Sequence, residues 1–262
     1  MGATTTKLFT PQIIQEDKEV YSSLGKINID YKTRGAGYWL WKPLIIRSAL
    51  QRSPENSILI YSDAGILPTK RFDSLASELS NHDILSWKLV QKKNSIKNWT
   101  DATVTEKLSC SEEVLNSSML IAGFLVFKNC PNSRNIVNQW LNLCLQPDLL
   151  HPDSKASYLP TPEVVWHRHD QSLLSIIAAN LPHIFKVLEF QPLGTLGFSR
   201  PFIIHRRKKP ASYFYIYLSS FLLGLIRKLI PLLPKSLRVQ FRFFRSRGKL
   251  SERELQSHKK FF

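Results

Sequence analysis

Two acids and one lysine stand where side chains can do chemistry. Asp63 closes the run Ile58-Leu-Ile-Tyr-Ser-Asp-Ala-Gly65, Asp170 lies in His167-Arg-His-Asp-Gln-Ser172, and Lys42 ends Gly35-Ala-Gly-Tyr-Trp-Leu-Trp-Lys42 just ahead of Pro43. Open α/β sheets bind ligands beyond the carboxyl ends of their strands. An acid there can hold a hard cation that bridges phosphate oxygens, or accept hydrogen bonds from hydroxyls. Ala64 and Gly65 let a ligand approach the backbone closely, although Asp-x-Gly is also a common turn. Around Asp170, two histidines, an arginine and an acid within four residues form a dense titratable set. Asp170 is equally a natural N-cap for a helix over Gln171–Ala179, and His167 can be a satisfied structural histidine. Lys42, like Arg34, either reaches a phosphate or is a solvated loop cation.

The elements that must position these groups read as an α/β domain. Pro43 suits a first helical residue, Leu44, Ile45, Ile46, Ala49 and Leu50 form an apolar face, and Ser53-Pro-Glu-Asn-Ser57 stops the helix. Ile58–Tyr61 is short, continuous and branched, which predicts a strand covered on both faces. Arg34–Lys42 reads as an extended loop, with Trp39 and Trp41 on one side and Tyr38 and Leu40 on the other. Both tryptophans are expected to pack on the sheet rather than stack on a ligand. Ile84–Val90, Met119–Phe127 and Ile184–Phe190 read as further strands, the last at an edge. Gly123 marks a close backbone approach or bulge, or plain helix-on-sheet packing. Asp73–Leu79 reads as a short helix. Thr100 is expected to cap another over Asp101–Leu108, and Ser133–Leu145 reads as an amphipathic one. Pro147–Val165 is a long loop. Residues 1–33 are weakly patterned, with a short helix around Gln12–Leu24.

Together these stretches resemble a family of bacterial and viral glycosyltransferases of the GT-A type. The likeness rests on Gly35–Pro43, Tyr61-Ser-Asp-Ala-Gly65, Trp99-Thr100, Ile121-Ala-Gly-Phe-Leu-Val-Phe-Lys128 and His167–Ser172, in family order across residues 34–205. It implies a GT-A-like mixed sheet flanked by helices over residues 1–205. The implied activity moves a sugar from a nucleotide-diphosphate donor to a glycan or lipid-linked acceptor, in cell-surface polysaccharide synthesis. The resemblance assigns Asp63, Gly65, Lys42, Ala122, Gly123, Arg168 and Gln171 to the donor, and makes Asp170 a sugar ligand or general base with His169 assisting. By the same likeness His205 is a metal ligand together with Asp63, for Mn²⁺ or Mg²⁺, with Arg206 and Arg207 on the diphosphate. The rival reading of residues 205–209 is a basic cluster beside a membrane. In two places the chain departs from the family. Gly65 stands where the usual metal motif has its second acid. The strands that usually open the fold are either missing or reduced to Leu8–Ile14 and Ile27–Ile29. The alternative function is therefore a non-catalytic, membrane-docked protein keeping a truncated form of the fold.

Composition sharpens the division of the chain. Of the net charge of +16, residues 200–262 carry +14, from sixteen Lys and Arg against two acids, so the front is nearly neutral. A basic tail on a neutral domain points to a polyanionic surface met by residues 206–262. There, aromatic and apolar residues up to Ile226 precede Arg238, Arg242, Arg245 and Arg247 interleaved with Val239, Phe241, Phe243 and Phe244. That pattern suits an amphipathic helix on an anionic membrane better than a nucleic-acid surface. With no N-terminal apolar run, the expectation is a cytoplasmic protein, peripheral on the inner face of the membrane. Cys110, Cys130 and Cys144 form no metal or disulfide pattern.

Overall fold

The computed structural model describes residues 3–17, 20, 32–68, 72–79, 81–89, 94–152, 166–190 and 202–204, with backbone alone at several of these. The expectations for Ile27–Ile29, for His205, Arg206 and Arg207, for residues 153–165 of the Pro147–Val165 loop and for the tail at 206–262 fall outside them, whereas the start of that loop, Pro147–Leu150, is a turn of helix with proline at its first position. All described residues belong to one compact α/β unit.

Its sheet has four strands, β1 (Ile58–Ser62), β3 (Ile84–Leu89), β4 (Phe124–Lys128) and β5 (Phe185–Phe190), in the order β1-β4-β3-β5. β4 runs antiparallel to β1 and β3, and β5 runs parallel to β3. The carboxyl ends of β1, β3 and β5 therefore share one edge with the amino end of β4. A separate antiparallel pair joins β2 (Ile66–Pro68) to β6 (Phe202–Ile204).

Helices cover both faces. α1 (Pro11–Glu16), α2 (Trp41–Arg52) and α3 (Phe72–Ser77) come first. The short α4 (Ile96–Trp99), α5 (Ala102–Lys107) and α6 (Glu112–Asn116) follow, then α7 (Pro131–Cys144), α8 (Pro147–Leu150) and α9 (Asp170–Asn180). The central strands obey the pleat. Leu125 and Phe127 of β4 join the core under α2, α7 and α9, built on Leu44, Ile45, Ile136, Trp140, Leu173 and Leu174. Phe124 and Val126 face the other way, with Leu85, Trp87 and Leu75 of α3. Trp140 fixes α9 further, its Nε1–H donating to the Asp170 carbonyl at 2.9 Å.

Several expectations shift. β1 lies at the end of the strand row rather than under cover on both faces: Ile58 is 39 % exposed, and within the strand only Tyr61 is buried. The doubly covered strands are β3 and β4. β4 begins at Phe124, because Ser118 and Leu120 make only single bridges, to Ser95 and Lys88. Asp101, not Thr100, caps α5, its Oδ1 accepting from Thr103 N–H at 2.9 Å. At the N-terminus, α1 begins the helix expected around Gln12–Leu24 but ends at Glu16, and it replaces the alternative of a residual strand over Leu8–Ile14; Thr10 caps it, with Pro11 in the first turn. Arg52 of α2 grips Asp17 beyond α1 with two 2.7 Å hydrogen bonds.

The largest departure is the Gly35–Trp39 segment. It is not extended. Gly35, Ala36, Gly37, Tyr38 and Trp39 all have positive φ, between 51° and 91°. Tyr38 N–H reaches the Arg34 carbonyl at 2.8 Å and Trp39 N–H the Gly35 carbonyl at 3.3 Å. This is a turn of left-handed helix, which costs L-residues about 1–2 kcal/mol each and which glycine tolerates. Gly35 is also required sterically, since a Cβ there would lie 2.4 Å from the Trp39 ring. The turn is held by Trp41 Nε1–H to the Gly35 carbonyl at 3.1 Å and by Gly37 N–H to Thr33 Oγ1 at 3.0 Å.

Candidate active site

Because α2 starts at Trp41, Lys42 is not a loop residue. It sits one turn before Ile45 and Ile46 on the buried face, and its side chain is 4 % exposed. Its ammonium lies 2.9 Å from Oδ2 of Asp170, equally buried, and 3.8 Å from Oδ1 of Asp63. Asp63 follows the last residue of β1, with its side chain 34 % exposed. The Tyr61 hydroxyl donates to Asp63 Oδ1, and Lys42 also stands over the Tyr61 ring at 5.8 Å.

The backbone fixes this carboxylate. Asp63 N–H donates to the Gly123 carbonyl at 2.8 Å, where β1 meets the amino end of β4. A Cβ on Gly123 would stand 2.7 Å from Asp63 Oδ2 and 2.9 Å from Ile66 Cδ1. Gly123 thus makes room for an acid. Its neighbour Ala122 is 1 % exposed and belongs to the core, so only Gly123 of that pair borders Asp63. Gly65, in the turn after Asp63, is partly exposed.

The electrostatics follow from burial. Desolvation pushes Lys42 down, but Asp170 and Asp63 outweigh it and hold the ammonium above its usual range. Desolvation pushes Asp170 up, Lys42 pulls it back, and the balance is about 6. Burial and Asp63 together raise the Tyr61 phenol well above its ordinary value. A buried acid poised near neutrality beside a fixed cation can exchange a proton or accept from a hydroxyl.

Asp170 is the first residue of α9 rather than its cap. The cap position is His169, with φ 52° and ψ −122°, a strained conformation for a side-chain-bearing residue. His169 is 6 % exposed, with Nδ1 2.8 Å from the Leu150 carbonyl. That contact makes Nδ1 the protonated nitrogen and leaves Nε2 a lone-pair acceptor, buried and without a partner among the described residues. His167 has the opposite tautomer, since its Nδ1 accepts from Asp101 N–H at 3.2 Å. Desolvation pulls His169 down to about 3 and His167 to about 4. His167 is anchored through Nδ1 alone, and its buried Nε2 has no hydrogen-bond partner among the described residues. Arg168 lies 4.2 Å from the Trp99 ring, its N–H meeting the Trp99 carbonyl and Ser172 Oγ. Gln171 Nε2–H donates to the Leu120 carbonyl at 2.6 Å, and Ser172 Oγ–H to the Trp99 carbonyl at 2.8 Å.

Five stretches far apart in sequence therefore form one contiguous cluster. Lys42 joins the first to Tyr61–Gly65 and to His167–Ser172. Gly123 joins Asp63, and Trp99 joins Arg168 and Ser172. What sequence reasoning missed is that Lys42 is the internal counter-ion of both acids. A lysine on the apolar face of an amphipathic helix was the available signal. As for a metal, Asp63 is the described carboxylate turned outward, and no three His, Cys, Asp or Glu gather around a common point among the described residues. They supply one ligand, so no step is derived through a metal.

No protein-family model and no curated protein matches the chain. Among solved structures, the crystal structure of mouse xyloside xylosyltransferase 1 in its apo form is similar over 74 % of this chain and 72 % of that one, at 12 % identity and a TM-score of 0.39. So distant a likeness carries no conclusion about the site. The described residues contain no helix long and apolar enough to cross a membrane.

Proposed function

We propose that this chain is a glycosyltransferase moving a sugar from a nucleotide-diphosphate donor to a hydroxyl of a glycan or lipid-linked acceptor, in cell-surface polysaccharide synthesis. The supporting observation is the convergence of the five family-like stretches on Lys42, Asp63 and Asp170 at the carboxyl edge of β1. Separate structural roles would not require it.

In this reading Asp63, the outward member, accepts from donor hydroxyls or holds Mn²⁺ or Mg²⁺ with His205. Lys42 pulls Asp170 back toward its ionised form and orients both acids. Asp170, poised near neutrality, reads a sugar hydroxyl or takes the acceptor proton once ligand binding opens its surroundings. Charge growing on the leaving diphosphate falls to Arg206 and Arg207. The tail at 206–262 docks the chain on the inner face of an anionic membrane.

A second reading has its own observation. The Lys42–Asp170 pair is shielded and internally neutralised, as a purely structural network would be. It corresponds to a non-catalytic protein keeping the fold. One assay separates them: release of nucleoside diphosphate from a panel of nucleotide sugars by the full chain, with and without Mn²⁺, beside Asp63→Asn. Release from one donor class, abolished by Asp63→Asn, supports the transferase. No release from any donor, in a folded protein given acceptor extracts, supports the second reading.

A further inference from the structure

Arg34 precedes the left-handed turn, and its guanidinium lies between two indoles, 4.7 Å from the Trp166 ring and 5.9 Å from the Trp39 ring. Ring faces hold a guanidinium by its plane and leave its N–H edge uncommitted. Arg34 is exposed, and no carboxylate among the described residues pairs with it. This differs from Arg52 and Arg134, which each grip an acid at 2.7 Å. An accessible arginine that meets two ring faces and leaves its fork unmatched can take a bidentate oxyanion.

The surroundings point the same way. Trp39 stacks on His169 at 5.9 Å between ring centres, and Tyr38 meets His169 at 4.8 Å and His151 at 4.0 Å. The strained turn at Gly35–Trp39 and the strained His169 thus face one another. His169 adds a buried lone pair at Nε2 that no described group uses. Strain held in two touching segments is characteristic of ligand sites rather than of plain packing. The wall adjoins the charged cluster through the chain, since Trp39 lies three residues before Lys42 and His169 precedes Asp170.

We propose that Arg34, framed by Trp39 and Trp166, is an oxyanion site for a phosphate or carboxylate carried by a hydroxylated ligand, with His169 Nε2 accepting from a neighbouring hydroxyl. The site stands on its own. That the anion belongs to an acidic or phosphorylated acceptor rests on the transferase reading.

The test titrates the full chain with inorganic phosphate, glucose 1-phosphate and glucuronate, following tryptophan fluorescence and melting temperature. All three probes lack a nucleotide, so the outcome is independent of donor turnover. Saturable binding is expected, at least tenfold weaker in Arg34→Gln and intermediate in Arg34→Lys, which keeps the charge without the fork. A response confined to the phosphates identifies a phosphorylated ligand, and one confined to glucuronate a carboxylated one. Equal affinity in native-like Arg34→Gln assigns the anion to the basic tail and overturns the proposal. Absence of saturation with all three probes overturns it as well.

Discussion

Replacing Lys42 with methionine keeps the stem of the side chain and removes the charge that faces two acids. Asp170 is as buried as Lys42, and the pair is separated by 2.9 Å. Breaking such a pair from one side leaves an uncompensated buried charge and costs about 3–5 kcal/mol. The loss has a pH signature. Asp170 is held at about 6 although burial pushes it up, because Lys42 pulls it down. Without Lys42 it rises further. A carboxyl whose folded pKa lies above its unfolded value loses stability as pH rises toward and through the folded pKa, so Lys42→Met is penalised most at pH 7 and recovers on acidification. Adding Asp170→Leu removes the orphan, and the double variant should return to within about 1 kcal/mol of the native chain. Urea denaturation of the full chain at pH 7 and pH 5 measures all three. A Lys42→Met loss under about 1 kcal/mol at pH 7, or one unchanged by Asp170→Leu, refutes the buried ion pair.

Gly123→Ala puts a Cβ 2.7 Å from Asp63 Oδ2; overpacking costs about 1–3 kcal/mol, and displacement of the carboxylate should cut nucleotide-sugar turnover at least tenfold. Unchanged turnover would remove Asp63 from the site. Gly35→Ala meets both a φ of 63° and the Trp39 ring. It should lower the melting temperature more than Ala36→Gly, which relieves left-handed strain and should be neutral or stabilising. The acid limb of stability follows from three buried groups. His167 at about 4 and His169 at about 3 are neutral when folded, so their contribution is present above about 6.5 and lost as pH falls below it. Asp170 acts oppositely between about 4 and 6. Near pH 5 unfolding takes up two protons and releases one, so stability from these groups rises by about 1.4 kcal/mol per pH unit. Urea midpoints from pH 4.5 to 5.5 check the slope, and a flat or falling profile contradicts it.

The sequence carried the element types better than their surroundings. Ile58–Tyr61 looked like a doubly covered strand because branched apolar runs serve edge and centre alike, and only the pairing order puts β1 at the end of the row. The α2 boundary had a larger consequence. Starting the helix at Pro43 leaves Lys42 in a loop, whereas starting it two residues earlier turns Lys42 onto the face shared with Ile45 and Ile46. No local pattern shows that Asp63 and Asp170, distant in sequence, meet there. The left-handed turn is half legible: Gly35 and Gly37 permit positive φ, whereas Tyr38 and Trp39 adopt it while packed on His151 and His169, contacts no local pattern shows. Gly123 reads equally as a close backbone approach, a bulge or helix-on-sheet packing, and what its missing Cβ admits is the Asp63 carboxylate.

The account's central claim is that Lys42, Asp63 and Asp170 form one donor site. Calorimetric titration of the full chain with the nucleotide sugars of each donor class, beside Asp63→Asn and the Lys42→Met/Asp170→Leu pair, tests it most directly. Binding of one donor class by the native chain, lost in both variants while each remains folded, is the predicted result. Binding that survives in both, or none to any donor, contradicts the claim.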